Sequence, residues 1–151
     1  MIAFTKTALP FGWLGNMSAH PVTHQGQVFR TAEALFQALR FNDPDIIEQI
    51  RAAKSPMGAK MVAKRNKDRM AVAPGSAEDV KNMEAVLRLK VAQHPALLSQ
   101  LRATGQEPIV EDCTRRKGGR NLFWGAALVD GQWVGENVLG KLWERIRGDL
   151  P

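Results

Sequence analysis

One cysteine, Cys113, stands in a chain of 151 residues. A lone thiol excludes an intramolecular disulfide and offers no zinc cluster. No apolar run approaches the roughly 20 residues that a membrane-spanning helix needs, so no membrane partner is expected. The first residues, Met1-Ile2-Ala3-Phe4-Thr5-Lys6, lack the charged, apolar and small-residue regions of a secretory signal. These absences predict a reducing, cytoplasmic setting. Common local signatures are missing as well. There is no P-loop, no Gly-x-Gly-x-x-Gly after a strand, no Gly-x-Ser-x-Gly and no His-Glu-x-x-His. Nothing in the sequence demands a metal or an organic cofactor. The histidines, His20, His24 and His94, are scattered beside Pro, Thr or Gln in loop-like stretches, which predicts surface or structural roles.

What is present belongs to a globular chain. Hydrophobic residues make up 44% and charged residues 24%, a balance that excludes disorder. The length suits a single domain over residues 1–151 with a continuous core. The formal net charge is +6 and the isoelectric point is near 9.9. Such a balance suits an anionic partner, whether nucleic acid, nucleotide or phosphosugar, or else a merely basic surface.

No internal repeat or low-complexity linker divides the chain. Gln25-Gly26, between 21–24 and 27–29, predicts a hairpin. Helical periodicity begins at Thr31 and runs to Phe41, with Leu35 and Leu39 at i, i+4. Asp43-Pro44 and Ser55-Pro56 each place an acceptor at an N-cap and a proline at the first helical position. Ser76, with Asp79 three positions on, resembles a capping box that opens the longest helix, through Val80, Met83, Leu87 and Val91. Pro95 starts a shorter helix that Gly105 stops. The segments 108–113 and 122–129 predict strands, and Asp130-Gly131 predicts a hairpin into 132–134. A last helix is expected over 138–147. The sum is an α+β domain, helix-rich, with a small sheet gathered from both ends of the chain.

Three constellations can carry chemistry. In the helix after Thr31, Glu33 lies in the first turn, where the helix dipole favours an ionised carboxylate. Gln37 and Arg40 share its stripe at i+4 and i+7. A carboxylate on a pocket wall suits N-glycoside cleavage, whose transition state has oxocarbenium character; the same Glu can simply complement the dipole. Lys60, Lys64 and Lys67, with Arg65 adjacent, predict one basic helix face, apt for phosphate oxygens or left to solvent. The third is Trp124-Gly125 on the expected strand, followed by Gly135, Asn137 and Gly140. Here Trp124 and Trp133 serve as ring platforms or as core, and Asn137 caps the last helix or bonds a sugar hydroxyl. Residues 115–120, Arg-Arg-Lys-Gly-Gly-Arg, read as a basic loop, either a lid or a nucleic-acid contact.

From Phe4 to Arg147 the chain resembles the NADAR/YbiA-like family, on five blocks in order. These are Gly15-Asn16-Met17; Thr31-Ala32-Glu33-Ala34-Leu35-Phe36-Gln37-Ala38; Ser55-Pro56-Met57-Gly58-Ala59-Lys60 with Lys64-Arg65; Ile109-Val110-Glu111; and Phe123-Trp124-Gly125 with Gly135-x-Asn137-x-Leu139-Gly140. The resemblance implies an α+β fold and cleavage of N-glycosidic bonds. It carries the key carboxylate to Glu33. It places Asn16, Gln37, Lys60, Trp124 and Asn137 along the ligand pocket, with Lys64, Arg65, Gly125 and Gly135 beside them. Two departures stand out. Asn121 replaces an Asp that many members have three residues before Trp-Gly, and Ala73-Pro74-Gly75 stands where many have a Trp. Asn121 can orient water but cannot act as a base, so Glu111 or Asp112 is expected to supply a second carboxylate.

The resulting expectation is an ADP-ribosyl glycohydrolase that binds an ADP-ribose-containing ligand and acts on guanine of ADP-ribosylated DNA. The family also suggests a cognate toxin partner, a DarT-type DNA ADP-ribosyltransferase. The alternatives are an N-glycosidase on a phosphorylated riboflavin-pathway intermediate and a non-catalytic module that binds ADP-ribose or nucleic acid.

Overall fold

The helix-start signals act as their chemistry dictates. In the computed structural model, which describes residues 1–151, Thr31, Asp43, Ser55 and Ser76 each accept a backbone N–H with the side chain. The helices they open are α1 (Ala32–Ala38), α2 (Pro44–Ala52), α3 (Pro56–Arg65) and α4 (Ala77–Gln93). Ser76 supplies its half of the expected capping box. Asp79 does not return to Ser76, because its carboxylate accepts instead from the Gly75 N–H and from Arg40. The remaining helices are α5 (Pro95–Ala103), α6 (Asn121–Trp124) and α7 (Val138–Gly148). The strands are β1 (Ile2–Phe4), β2 (Val22–His24), β3 (Gln27–Phe29), β4 (Ile109–Glu111), β5 (Ala127–Val129) and β6 (Gln132–Val134). The fold is α+β.

The chain forms two compact units, Asn16–His94 and Met1–Gly15 with Pro95–Pro151. In the first, α1 packs on α2, α3 and α4, and the antiparallel pair β2–β3 borders α4 and α1. The hairpin turns through Gln25 and Gly26, both at positive φ. Leu35, Ile50, Val86 and Leu87 have no exposed surface. Each such side chain contributes about 1.5–3 kcal/mol through burial. All seven residues of α1 are buried, polar ones included, which sets it apart from an amphipathic surface helix.

In the second unit β1 and β4 pair in parallel, Ile2 opposite Ile109 and Phe4 opposite Glu111, while β5 and β6 form a hairpin through Asp130-Gly131. An isolated parallel bridge joins Asp112, just after β4, to Ala126, just before β5. Helix α7 lies against β4, and Trp143, fully buried, donates its indole N–H to the Leu14 carbonyl at 2.9 Å.

Two expected elements are corrected. The strand over 122–129 is a one-turn helix, α6, and then the shorter β5. A short apolar run does not distinguish the two states by periodicity. Here the Trp124 and Gly125 N–H groups close turns onto Arg120 and Asn121. Gly125 then runs so close to β4 that a Cβ on it would meet the Glu111 carbonyl oxygen at 2.5 Å. Trp124 therefore ends a helix and does not lie on a strand. Lys67 likewise leaves the helix face expected for it, since α3 stops at Arg65 and Lys67 opens a separate 3-10 turn, Lys67–Arg69.

Candidate functional site

The Glu33 carboxylate sits on the buried face of α1, with 8% of the residue exposed. Its position follows from the cap. Thr31 starts the helix, so Glu33 falls in the first turn, and its own N–H donates to the Asn16 carbonyl at 2.9 Å. Gln37, one turn on, donates Nε2 to Glu33 Oε2 at 2.9 Å, and Arg40 donates Nη1 to Gln37 Oε1 at 3.1 Å. The stripe Glu33–Gln37–Arg40 is thus a continuous hydrogen-bonded chain. Burial raises the Glu33 pKa above its ordinary value. The Gln37 hydrogen bond and the charges of Lys60 and Arg40 oppose that rise, and Asp79 adds to it. A desolvated carboxylate with Gln37 as its fixed donor and two cations nearby is, when ionised, the kind of group that stabilises cationic character at a sugar carbon.

Arg40 is anchored from the other side. Its Nε and Nη2 donate to Asp79 Oδ1 and Oδ2 at 2.9 and 2.8 Å, a two-pronged pair with side chains 9% and 0% exposed. The guanidinium carbon lies 4.6 Å from the centre of the Phe36 ring. Lys60, on α3, is half-buried and close enough to favour ionised Glu33. Lys64 and Arg65, in the last turn of α3, are exposed.

Asn16 belongs to this unit. Its Nδ2 donates to the Met83 sulfur at 3.1 Å, and its Oδ1, buried, has no hydrogen-bond partner within the protein. Two residues on, Ser18 accepts from Lys90 Nζ at 2.8 Å and meets His20 Nδ1 at 2.9 Å. His20 packs edge-to-face on His94, with ring centres 5.3 Å apart. The two histidines, far apart in sequence, thus form one structural cluster with Ser18. Lys90 has no exposed surface, and burial lowers its pKa to about 7. Sequence reasoning passed over Lys90 and gave Asp79 only a cap. Both lie on the Asp79–Met83–Lys90 stripe at i, i+4 and i+11, so a charged residue in register with the apolar ones was the available signal.

The other unit carries the remaining expected site residues. Asn137 does not cap α7 with its side chain. Its Oδ1 accepts from the Glu111 N–H at 3.0 Å and its Nδ2 donates to the Ile109 carbonyl at 2.9 Å. Both ends of the carboxamide are therefore engaged with β4. Gly140 lets α7 approach that strand, since a Cβ there would collide with the Ile109 carbonyl oxygen. Gly135 follows β6 and is exposed. Asn121 opens α6, half-buried, and Trp124 closes it, stacked edge-on against Phe123 with ring centres 5.0 Å apart. Glu111 is half-buried at the end of β4, and Asp112 holds Thr114 through that residue's N–H and hydroxyl. Residues 115–120 are exposed throughout. No three His, Cys, Asp or Glu side chains come together as a metal set.

The chain is similar to known proteins in sequence and in fold. It is 33% identical to N-glycosidase YbiA of Escherichia coli, over 99% of this chain and 88% of that one. An N-glycosidase of Nostoc punctiforme is 28% identical over 99% and 92% of the respective chains. The solution structure of Escherichia coli YbiA superposes with a TM-score of 0.80 at 29% identity, covering 97% of this chain and 83% of that one. The NADAR domain model matches residues 3–151. With the match running through Asn16, Glu33 and Asn137 alike, this chain belongs to the NADAR family.

Proposed function

We propose that the protein is an N-glycosidase, a hydrolase that adds water across a sugar-to-nitrogen bond, and that its substrate is ADP-ribose joined to guanine in nucleic acid. The observation that carries the reading is the buried Glu33 carboxylate with Gln37, Lys60 and Arg40 arranged around it, in a family whose relatives bear the name N-glycosidase. In the proposed reaction the bond from the sugar carbon to the base nitrogen breaks, and its electron pair leaves with the base. Glu33 stabilises the positive charge that develops on the sugar carbon. A water oxygen bonds to that carbon, and a proton passes to the departing base.

A polyanionic substrate is supported by the net charge of +6 and by the exposed basic groups Lys64, Arg65 and those of residues 115–120, which suit phosphate oxygens. An antitoxin role opposite a DarT-type enzyme belongs to the same proposal, because that partner would make the substrate. A cytoplasmic setting fits a chain whose one thiol, Cys113, is buried and none of whose helices is long and apolar enough to cross a membrane.

The test is release of ADP-ribose from an oligonucleotide carrying it on guanine, by wild type and by Glu33→Gln. Release by wild type alone supports the proposal and puts Glu33 in the reaction. Binding by both with release by neither sinks it, and turnover of a phosphorylated ribosylamino-pyrimidine instead would transfer the activity to a small metabolite.

A further inference from the structure

Asn16 is held at its edges and, at one buried atom, has no partner. The residue is 9% exposed. Its backbone carbonyl accepts the Glu33 N–H at 2.9 Å, so its loop is tied to the first turn of the helix that carries the carboxylate. Its Nδ2 donates to the Met83 sulfur at 3.1 Å, while Oδ1 has no hydrogen-bond partner within the protein. Buried polar atoms of folded proteins are paired in the large majority of cases, and an exception calls for a reason. Turning the amide over would not supply one: the oxygen would then face sulfur, itself a weak acceptor, and the two N–H groups would be stranded. The unpartnered atom is therefore an acceptor, and what complements it must donate. A phosphate oxygen, an acceptor only, does not fit there, whereas a sugar hydroxyl does.

The attitude of this carboxamide is set by one helix. Along α4, Met83 takes the Asn16 amide, Lys90 donates to Ser18 Oγ at 2.8 Å, Gln93 bonds both the N–H and the carbonyl of Thr23 at 2.8 Å, and His94 Nε2 meets the Pro21 carbonyl at 2.6 Å. Four side chains of α4 and its cap thus grip the segment 16–23 at successive points. Ser18 Oγ, which accepts from Lys90, also meets His20 Nδ1 at 2.9 Å.

We propose that Asn16 Oδ1 is the specificity-determining acceptor for a hydroxyl of the ligand's ribose, and that Lys90, acting through Ser18, is a positioning residue that aims it. The inference rests on the N-glycosidase reading for the identity of the sugar. Asn16 then sits beside Glu33 in role as well as in backbone connection: one side chain faces the charge that develops, and the other selects the hydroxyl that identifies the sugar.

The experiment is calorimetric binding of ADP-ribose and of analogues lacking one hydroxyl of the distal ribose, with turnover of the ADP-ribosylated oligonucleotide followed in parallel. Wild type should bind one deoxy analogue about 10- to 100-fold more weakly than ADP-ribose, the range expected when a buried acceptor loses its donor. Asn16→Leu should bring that ratio close to one. Lys90→Met should shrink it several-fold, with little change in affinity for the deoxy analogue, and Lys90→Arg, which keeps a donor, should recover part of it. A merely structural Lys90 would weaken all ligands alike.

If Asn16→Leu does not fold, the carboxamide carbonyl of Asn16, seen by NMR in wild type with labelled asparagine, should shift with ADP-ribose and not with the discriminated analogue. Hydrolysis by a wild type that binds every analogue equally overturns this inference and leaves the activity standing. Discrimination without hydrolysis does the reverse. A wild-type ratio in Lys90→Met removes the positioning role, and no binding of any ribosyl ligand overturns both readings.

Discussion

Arg40 and Asp79 meet as a two-pronged pair at 2.8 and 2.9 Å, with the carboxylate fully buried and the guanidinium nearly so. Removing one partner of such a pair strands the other charge, which typically costs about 3–5 kcal/mol. Asp79→Ala should therefore lower the denaturation midpoint sharply. It also frees Arg40 to swing away from Gln37, to which it donates at 3.1 Å. Arg40→Lys should not rescue the fold fully, because an ammonium cannot span both carboxylate oxygens. Equal midpoints for wild type and Asp79→Ala in urea would show the pair to be inert.

Glu33→Gln should separate stability from activity. Burial raises the Glu33 pKa, so the folded protein retains that proton to higher pH than the unfolded chain does. The contribution of Glu33 to stability is thus present at low pH and is lost as pH rises through its folded value. The neutral amide avoids that penalty, and the variant should melt at or above the wild-type temperature near pH 7 while kcat falls by about 100-fold or more. In wild type, kcat/KM should climb with pH through a value above the ordinary 4.5, because the ionised form is the one that stabilises a cationic sugar. That limb should vanish in the variant. A flat profile on the acid side, or a variant of full activity, would take the carboxylate out of the reaction.

Lys90 imposes a pH dependence of opposite sense. Burial brings its pKa from 10.5 down to about 7. Between those values the unfolded chain binds the proton that the folded protein has released, so stability rises with pH across that window. Thermal melts should show the midpoint climbing from pH 7 to pH 10 in wild type. The climb should be much reduced in Lys90→Met, which fills similar volume without a charge to desolvate. Parallel curves for the two proteins would mean that Lys90 keeps its proton throughout.

Local chemistry was legible in the sequence and partner choice was not. The caps at Thr31, Asp43, Ser55 and Ser76 and the alignment of Glu33, Gln37 and Arg40 depend on residues within a turn or two, and periodicity reports such spacing. Asp79 answers Arg40 from 39 residues away, Lys90 answers Ser18 from 72, and Asn137 reaches β4 across 26 and 28. Nothing in their neighbourhoods names those partners. The Gly-x-Asn-x-Leu-Gly stretch matches a family block, which implies a place along the ligand pocket and names no partner within the fold. In the fold, the Asn137 carboxamide fastens α7 to β4 and Gly140 admits the strand's carbonyl. The run expected as a strand over 122–129 splits into α6 and β5, because a short apolar run carries too little periodicity to choose a helix over a strand.

Substitution of the exposed cations of residues 115–120 separates a polynucleotide substrate from a metabolite. Each phosphate contact made by a Lys or Arg contributes about 0.9 to the slope of log affinity against log salt on duplex DNA, and about 0.7 on a single strand. Replacing Arg115, Arg116, Lys117 and Arg120 together by Gln should reduce the slope by about 2 to 4 and weaken oligonucleotide binding at 0.1 M salt by at least tenfold. The melting temperature should hold, since all four side chains are exposed and exposed substitutions typically change stability by less than about 0.5 kcal/mol. The affinity for free ADP-ribose should change much less than that for the oligonucleotide. An unchanged slope would mean that the loop never touches a backbone, and the positive charge of this protein would then serve a small phosphorylated ligand.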